Sequence, residues 1–148
     1  MATFEDLQES YNRALYRVDV EPEPIVLRVG EPSPALDRCL EARGAKCFAF
    51  LTAANPGSKP LAEAENARRH ARLLARIRET GLEAIAGESC EATSGGWRER
   101  SLLVVGLDRE RALALARKLG QLALLVGEIG GAVELFSTRP ARNRTAGG

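Results

Sequence analysis

The feature that most constrains the fold is an apolar run of strand length that is followed by a turn and a long amphipathic helix. Residues 47–53 read CFAFLTA and carry no charge. Such a run is typical of a strand that is buried on both faces of a helix-covered sheet. The run RSLLVVGL at 100–107 is similar, with one charged residue at its start. Together the two runs predict an α/β fold.

The elements around these two runs follow a definite order. A helix is predicted over about 61–80, a strand over 82–87, a polar loop over 88–96 and a helix over 109–119. LALLVGEI and AVELFS then predict a terminal hairpin around Gly130–Gly131. From the first apolar run onward the order is strand, helix, strand, strand, helix, strand, which is that of the ferredoxin-like split βαβ unit.

Three further elements precede this core. Apolar residues at helical spacing predict a short amphipathic helix that ends at the break over 21–24, and these residues are Phe4, Leu7, Tyr11 and Leu15. PIVLRV predicts a strand, and Ser33–Pro34 predicts the start of a helix that stops at Gly44. The predicted fold is therefore α/β (α+β), a ferredoxin-like core with an added N-terminal helix, strand and helix and a C-terminal hairpin strand.

No shift in composition divides the chain. Residues 1–136 are predicted to form a single α/β domain and residues 137–148 a disordered tail. We expect one mixed sheet with helices mainly on one of its faces. Its central strands are predicted at about 47–53, 82–87, 100–107 and 122–127.

Charge and cysteine usage bear on the class of partner. The formal net charge is +1, so we expect no nucleic-acid and no membrane partner, and no apolar run approaches the roughly 20 residues that span a bilayer. The acidic, amphipathic N-terminus is unlike a secretion signal. Cys39, Cys47 and Cys90 show no pairing pattern, which predicts free thiols in a cytoplasmic protein. No Cys/His cluster indicates a metal site, and no motif names a cofactor.

Residues 52–59 join the first apolar strand to the long helix. Backbone N–H groups and the helix dipole at such a junction suit it to an anion, and Asn55, Ser58 and Lys59 add side-chain donors. The spacing of a nucleotide-binding phosphate loop is absent. The alternative is an ordinary turn in which Ser58 caps the helix.

At 100° per residue, Asn66 and His70 fall on the same stripe of the long helix as Leu73 and Ile77, whereas Glu65 lies on the solvent side. Asn66 therefore either anchors the neighbouring NPGS loop or faces a pocket, because a buried amide needs partners. His70 is interpreted as a structural histidine.

The segment around Trp97, the single tryptophan, supplies the next candidates. Glu99 and Ser101 share strand alternation with Leu103, so the Glu99 carboxylate either faces the interior or lies in water at the mouth of a loop. Gln121, just before a strand, either bonds to strand backbone or lines the same pocket.

Five of these residues are predicted to converge around one concavity. If the strands at 47–53 and 100–107 pair antiparallel, the start of the second lies beside the end of the first. The five residues are Asn55, Ser58, Asn66, Trp97 and Glu99. The alternative is a self-satisfied network that anchors two loops.

Four segments carry a family resemblance. They are Tyr11 with IVLRVGEPSPALD, then FLTAANPGSKPLAEAEN, then GGWRERSLLVVG, and finally LGQLALL. Across residues 11–136 the chain resembles a bacterial family of unknown function, DUF3293, which has the patterns T-A-x-N-P-x-S with E-N, W-x-E-x-S-x-L-V-x-G and G-Q-x-A. The resemblance implies a characteristic set but no activity: Asn55, Pro56, Ser58, Glu65, Asn66, Trp97, Glu99 and Gln121. Where the family often has an aromatic residue before Asn-Pro, this chain has Ala54, which removes one candidate pocket wall.

Three classes of function stay open at this point. The class ranked third is an interaction subunit that docks through the Trp97 loop. The class ranked second is an enzyme with Glu99 or Glu65 as general acid/base. A homodimer is also left open. The first and favoured class is a regulatory or binding module for a small anionic or nucleotide-like ligand, with ligand-binding residues Asn55, Ser58, Lys59, Asn66, Trp97, Glu99 and Gln121.

Overall fold

The computed structural model describes residues 2–92 and 96–139. In these ranges the helices are α1 (Phe4–Arg13), α2 (Pro34–Ala42), α3 (Glu63–Glu79) and α4 (Arg109–Lys118). The strands are β1 (Leu15–Val18), β2 (Ile25–Leu27), β3 (Cys47–Leu51), β4 (Ala84–Cys90), β5 (Arg98–Val105), β6 (Ala123–Glu128) and β7 (Glu134–Ser137). The protein is thus a mixture of helices and one sheet, as the sequence predicts.

The seven strands form one sheet in the order β2-β1-β4-β5-β3-β6-β7. The four central strands predicted from the sequence are all in it, and β3 pairs antiparallel with β5, with Phe50 opposite Leu103. The expectation of a mixed sheet is wrong, because every neighbouring pair is antiparallel. The helical crossovers explain this, since α3 carries the chain from β3 past β5 to β4 and so leaves an antiparallel strand between parallel ones.

Helices cover both faces of the sheet. Leu36 and Leu40 of α2 pack on one face, whereas α3 and α4 pack on the other, through residues that include Leu73 and Ala112. Helices mainly on one face were expected, and the composition of β3 explains the difference. Its alternate residues are apolar on both sides, so each face must be shielded from water.

The first strand was not expected. Leu15 was predicted to lie in the N-terminal helix, but α1 ends at Arg13 and Leu15 begins β1. β1 pairs with β4, and this pairing carries β4 through residues 88–90, which were predicted to be loop. The polar residues there indicated a loop, whereas in the fold they lie between β1 and β5 and pair with both strands.

The C-terminal part of the described chain packs on the fold. Ser137 ends β7, and the buried Thr138 donates a hydrogen bond from Oγ1 to the Gln121 carbonyl at 2.6 Å. Residues 137–139 of the predicted tail lie within the described ranges, and residues 140–148 lie outside them. All three cysteines are free thiols, which confirms that prediction. No helix of the described residues is long and apolar enough to cross a membrane.

Candidate functional site

The connection from β3 to α3 has an unusual backbone. Asn55 and Ser58 have positive φ angles of 45° and 61°, a region that asparagine tolerates better than most residues. A short 3-10 turn over Pro56–Ser58 follows Asn55 and is separated from α3, which begins at Glu63. Ser58 therefore does not cap the long helix, because its turn ends before that helix starts.

The backbone donors of this connection are already satisfied by the protein. The Asn55 N–H donates to Asn66 Oδ1 at 2.9 Å, and the Leu61 N–H donates to Asn55 Oδ1 at 3.0 Å. The Gly57 N–H donates to the Gly120 carbonyl at 2.8 Å. An anion needs several free N–H groups that point to one place, and these three N–H groups are not free.

Two asparagines fix the position of a carboxylate. Asn66 Nδ2 donates to Asn55 Oδ1 at 2.7 Å, which together with the Leu61 N–H makes that oxygen the acceptor of two hydrogen bonds. The orientation of the Asn55 amide is thereby set, and its Nδ2 faces Glu99 Oε2 at 3.0 Å. Asn66 thus positions Asn55, and Asn55 positions Glu99.

A pocket of about 270 Å³ opens between α1, the β3–α3 connection and one end of the sheet. Five predicted site residues line it, namely Asn55, Ser58, Trp97, Glu99 and Gln121. Its aromatic walls are Tyr11, Tyr16, Phe50 and Trp97. No Lys, Arg or His side chain is among the described residues that line it.

Glu99 is the acidic group of this pocket. Its carboxyl is largely withdrawn from water, and this desolvation raises its pKa above the ordinary value, while the Asn55 hydrogen bond opposes the shift. Glu99 is the one carboxylate among the described lining residues, and Asn55 is its one hydrogen-bond donor in the described chain. The second carboxylate oxygen can therefore accept a hydrogen bond from a molecule in the pocket.

The aromatic side of the pocket was missed at the level of the sequence. Tyr16 and Phe50 meet edge to face with ring centroids 5.8 Å apart, and the Tyr16 hydroxyl donates to the Tyr11 carbonyl at 2.7 Å. Burial raises the pKa of both tyrosines. Tyr11 belongs to one of the segments that resemble the family. Tyr16 lies in β1, a strand that was not predicted from the sequence.

Not every predicted residue reaches the pocket. Asn66 belongs to α3, on the opposite face of the sheet from Glu99, and acts on the pocket only through Asn55. Lys59 is exposed and is not in the lining. Glu65 is also outside it, and its hydrogen bond with Arg68, 2.6 Å away, lowers its pKa.

Gln121 and His70 occupy structural positions. Gln121 Nε2 donates to the carbonyl of the buried Ala54 at 2.8 Å, so Gln121 both bonds to backbone and borders the pocket. His70 Nδ1 is buried and has no partner among the described residues. Desolvation, followed by the charge of Arg100, lowers the His70 pKa, and His70 is outside the lining.

The fold and the site define a small antiparallel α+β domain with a partly apolar pocket at one end of its sheet. Residues 51–124, half of the chain, match the family model of DUF3293, described as a protein of unknown function, so the chain belongs to this family. The matched segment contains Asn55, Asn66, Trp97 and Glu99. No curated protein and no solved structure matches the chain.

Proposed function

We propose that this domain binds a small organic molecule in the pocket, with Glu99 as its polar anchor. The observation that carries the proposal is a partly buried carboxylate that is oriented by Asn55 and faces a cavity with aromatic and aliphatic walls. A desolvated carboxylate costs free energy unless a partner satisfies it. A ligand that donates a hydrogen bond to Glu99 supplies that partner.

The proposed ligand is not anionic, in contrast to the expectation from the sequence. The lining includes Glu99 and no described cationic side chain, so the local field opposes a negative charge. The backbone donors at the β3–α3 connection are also occupied. The same pocket supports a ligand that is neutral or positively charged.

Catalysis by Glu99 is a second candidate function. Burial raises the pKa of Glu99 above its ordinary value, which is the direction of shift that a carboxyl group acting as general acid/base needs. Asn55 would then serve as a positioning residue. Glu65 does not fit this role, because it is ion-paired with Arg68 away from the pocket.

Docking through the Trp97 loop has less support. Trp97 is half-buried and packs against one of the two apolar cores, so its ring is part of the pocket wall. Val26 is the large apolar residue that is exposed in the described chain, and it lies in β2, away from Trp97 in strand order.

We further propose that β4-β5-β3-β6 with α3 and α4 is a ferredoxin-like unit. The strand order, the two helical crossovers and the antiparallel pairing support it. In this arrangement the pocket lies at the end of the two central strands, where β3 stops and β5 begins.

A ligand screen tests the proposed function. Small fragments are added to the protein, and the indole signal of Trp97, the single tryptophan, reports binding in NMR spectra. We expect bound fragments to shift the NMR signals of Trp97 and of the residues beside Glu99. We expect Glu99→Gln to weaken the binding of these fragments. Glu65→Gln is the matched control and should leave binding unchanged. Fragment binding that maps elsewhere, or that Glu99→Gln does not alter, would overturn the proposal.

A further inference from the structure

Among its described residues, the pocket lining combines apolar walls with a negative charge and no positive charge. Four aromatic rings and several aliphatic side chains form its apolar wall, and the described charged lining residue is Glu99. Asn55 gives this carboxylate one neutral donor and no counter-charge. The lining also has neutral hydroxyl groups, among them that of Ser58, whose Oγ lies 3.3 Å from the Tyr11 hydroxyl.

A positively charged ligand complements such a lining better than a neutral one. The attraction between unit charges is several times stronger at the effective dielectric of a protein site than in bulk water. The faces of tryptophan, tyrosine and phenylalanine also attract cations. Both effects act on one ligand group only if the carboxylate and the rings share a cavity, as Glu99 and Trp97 do.

We infer that the ligand of this pocket is an organic amine, with its ammonium group on the Glu99 carboxylate and its hydrocarbon part among the aromatic rings. The inference rests on the proposed function, because it assigns a ligand class to the same pocket. An ammonium group donates to the unshared carboxylate oxygen and supplies the missing counter-charge.

The pocket lining suits a bare metal ion less well than it suits an organic amine. Divalent cations take several oxygen or nitrogen ligands, usually with more than one carboxylate or imidazole. No group of three His, Cys, Asp or Glu side chains in the described ranges could hold a metal ion together. The aromatic walls instead suit a ligand with apolar carbon next to its charge.

Three probes of matched shape test the ligand class. Benzylamine, benzyl alcohol and benzoate each carry one ring and differ in charge. Each is titrated at pH 7.5 into the full chain, and binding is followed by the Trp97 fluorescence and by NMR shifts. We expect benzylamine to bind about tenfold more tightly than benzyl alcohol, a ratio equal to ~1.4 kcal/mol, and benzoate to bind most weakly.

Glu99→Gln separates charge recognition from shape. This variant keeps an acceptor for Asn55 but removes the negative charge, so the preference for benzylamine over benzyl alcohol should fall to about twofold or less, an energy difference of ~0.4 kcal/mol. Glu65→Gln, which removes an exposed charge outside the pocket, should keep the full preference.

The failures of the two proposals are distinguishable. Benzyl alcohol or benzoate binding at Trp97 as tightly as benzylamine would overturn the amine assignment and leave the pocket as a binding site. An amine preference that persists in Glu99→Gln would also overturn it. Absence of any Trp97 response, both to these probes and in the fragment screen, would overturn both proposals.

Discussion

The side chain of Asn55 decides how Glu99 is presented. Its oxygen accepts from a backbone N–H and from Asn66, so its nitrogen is directed to the carboxylate. An isolated asparagine amide could turn over, because its two ends have similar shape and differ only in hydrogen bonding. The position of Glu99 therefore depends on Asn66, a residue that does not touch the pocket.

We predict that Asn66→Leu lowers the free energy of unfolding by about 1–3 kcal/mol. The variant leaves the Asn55 N–H without its acceptor in a half-buried place and removes one of the two bonds that orient the Asn55 amide. Urea denaturation followed by circular dichroism measures the loss. Asn12→Leu, at an exposed asparagine of α1, is the control. Equal losses in the two variants would show that the asparagine network does not stabilise the fold.

We predict that Glu99→Gln raises the thermal stability near neutral pH. Burial raises the folded-state pKa of Glu99 above its ordinary value of 4.5, so the folded protein is penalised for an ionised Glu99 at higher pH. As the pH falls towards 4.5, the folded wild type takes up this proton before the unfolded chain does, and the penalty is lost. The advantage of the variant should therefore shrink with falling pH and vanish below about 4.5.

Melting temperatures of both proteins between pH 4 and pH 8 measure this dependence. Tyr11 and Tyr16 are the titratable groups near Glu99, and their raised pKa values keep them protonated over the range. A variant that is less stable than wild type at pH 7 would mean that the Asn55 hydrogen bond outweighs desolvation.

At the scale of elements, α1 differs from the other helices. It contains no buried residue, yet Leu7, Ser10 and Tyr11 line the pocket. Thr3 caps it with a reciprocal hydrogen bond to Asp6, which stabilises the helix locally. Few apolar contacts hold α1 on the sheet, so local stability and attachment to the fold are separate properties of this helix.

We predict that the backbone amides of Phe4–Arg13 exchange with solvent faster than those of Glu63–Glu79. α3 buries Leu73 and Ile77, so its opening exposes core, whereas the opening of α1 exposes only the pocket. Hydrogen–deuterium exchange with mass spectrometry compares the two peptides. A pocket ligand should slow exchange in α1 and leave α3 unchanged. Equal protection of the two helices in the free protein would contradict this account.

At the scale of the whole molecule, the seven-stranded sheet depends on one close approach. β1 and β2 join the other strands through the β1–β4 pair, and a bridge between Pro32 and Ala132 also ties the segment after β2 to the segment before β7. In β4, a Cβ on Gly87 would lie 2.3 Å from the Arg17 carbonyl oxygen and 3.0 Å from the Phe50 ring. The absent side chain lets β1 pair and lets the aromatic ring lie across the strand.

We predict that Gly87→Ala lowers the free energy of unfolding by about 1–3 kcal/mol, because the added methyl group forces the backbone or Phe50 to move. Since Phe50 also lines the pocket, a shift of its ring in Gly87→Ala should change the fluorescence of Trp97 as well. Gly131→Ala is the matched control, because its Cβ would meet ordinary contact at 3.4 Å without a strained φ. If both variants unfold at the same urea concentration, the added methyl group at Gly87 does not lower the free energy of unfolding.

Local sequence patterns predicted most of the elements from α2 to β7. Apolar runs of strand length, helical periodicity and glycine stops are local properties, and they located α2, α3, α4 and the strands that pair in the sheet centre. The pairing of β3 with β5 also followed from element order. With that pairing, the proximity of Asn55 and Glu99 could be expected before their hydrogen bond was seen.

The N-terminal half of the pocket depends instead on pairing between strands that no local pattern in the sequence predicted. β1 has four residues and the extension of β4 is polar, so neither carries a strong local signal. Their backbone groups are satisfied by pairing with each other and with their hairpin partners β2 and β5. Their pairing brings Tyr16 and α1 over Glu99 and encloses the carboxylate among aromatic rings. Electrostatics at the site likewise depended on packing, because the charge of Lys59 stays outside while Glu99 is turned inward. A residue's type sets which charge it can carry, but the dielectric and the partners around that charge exist only in the folded chain.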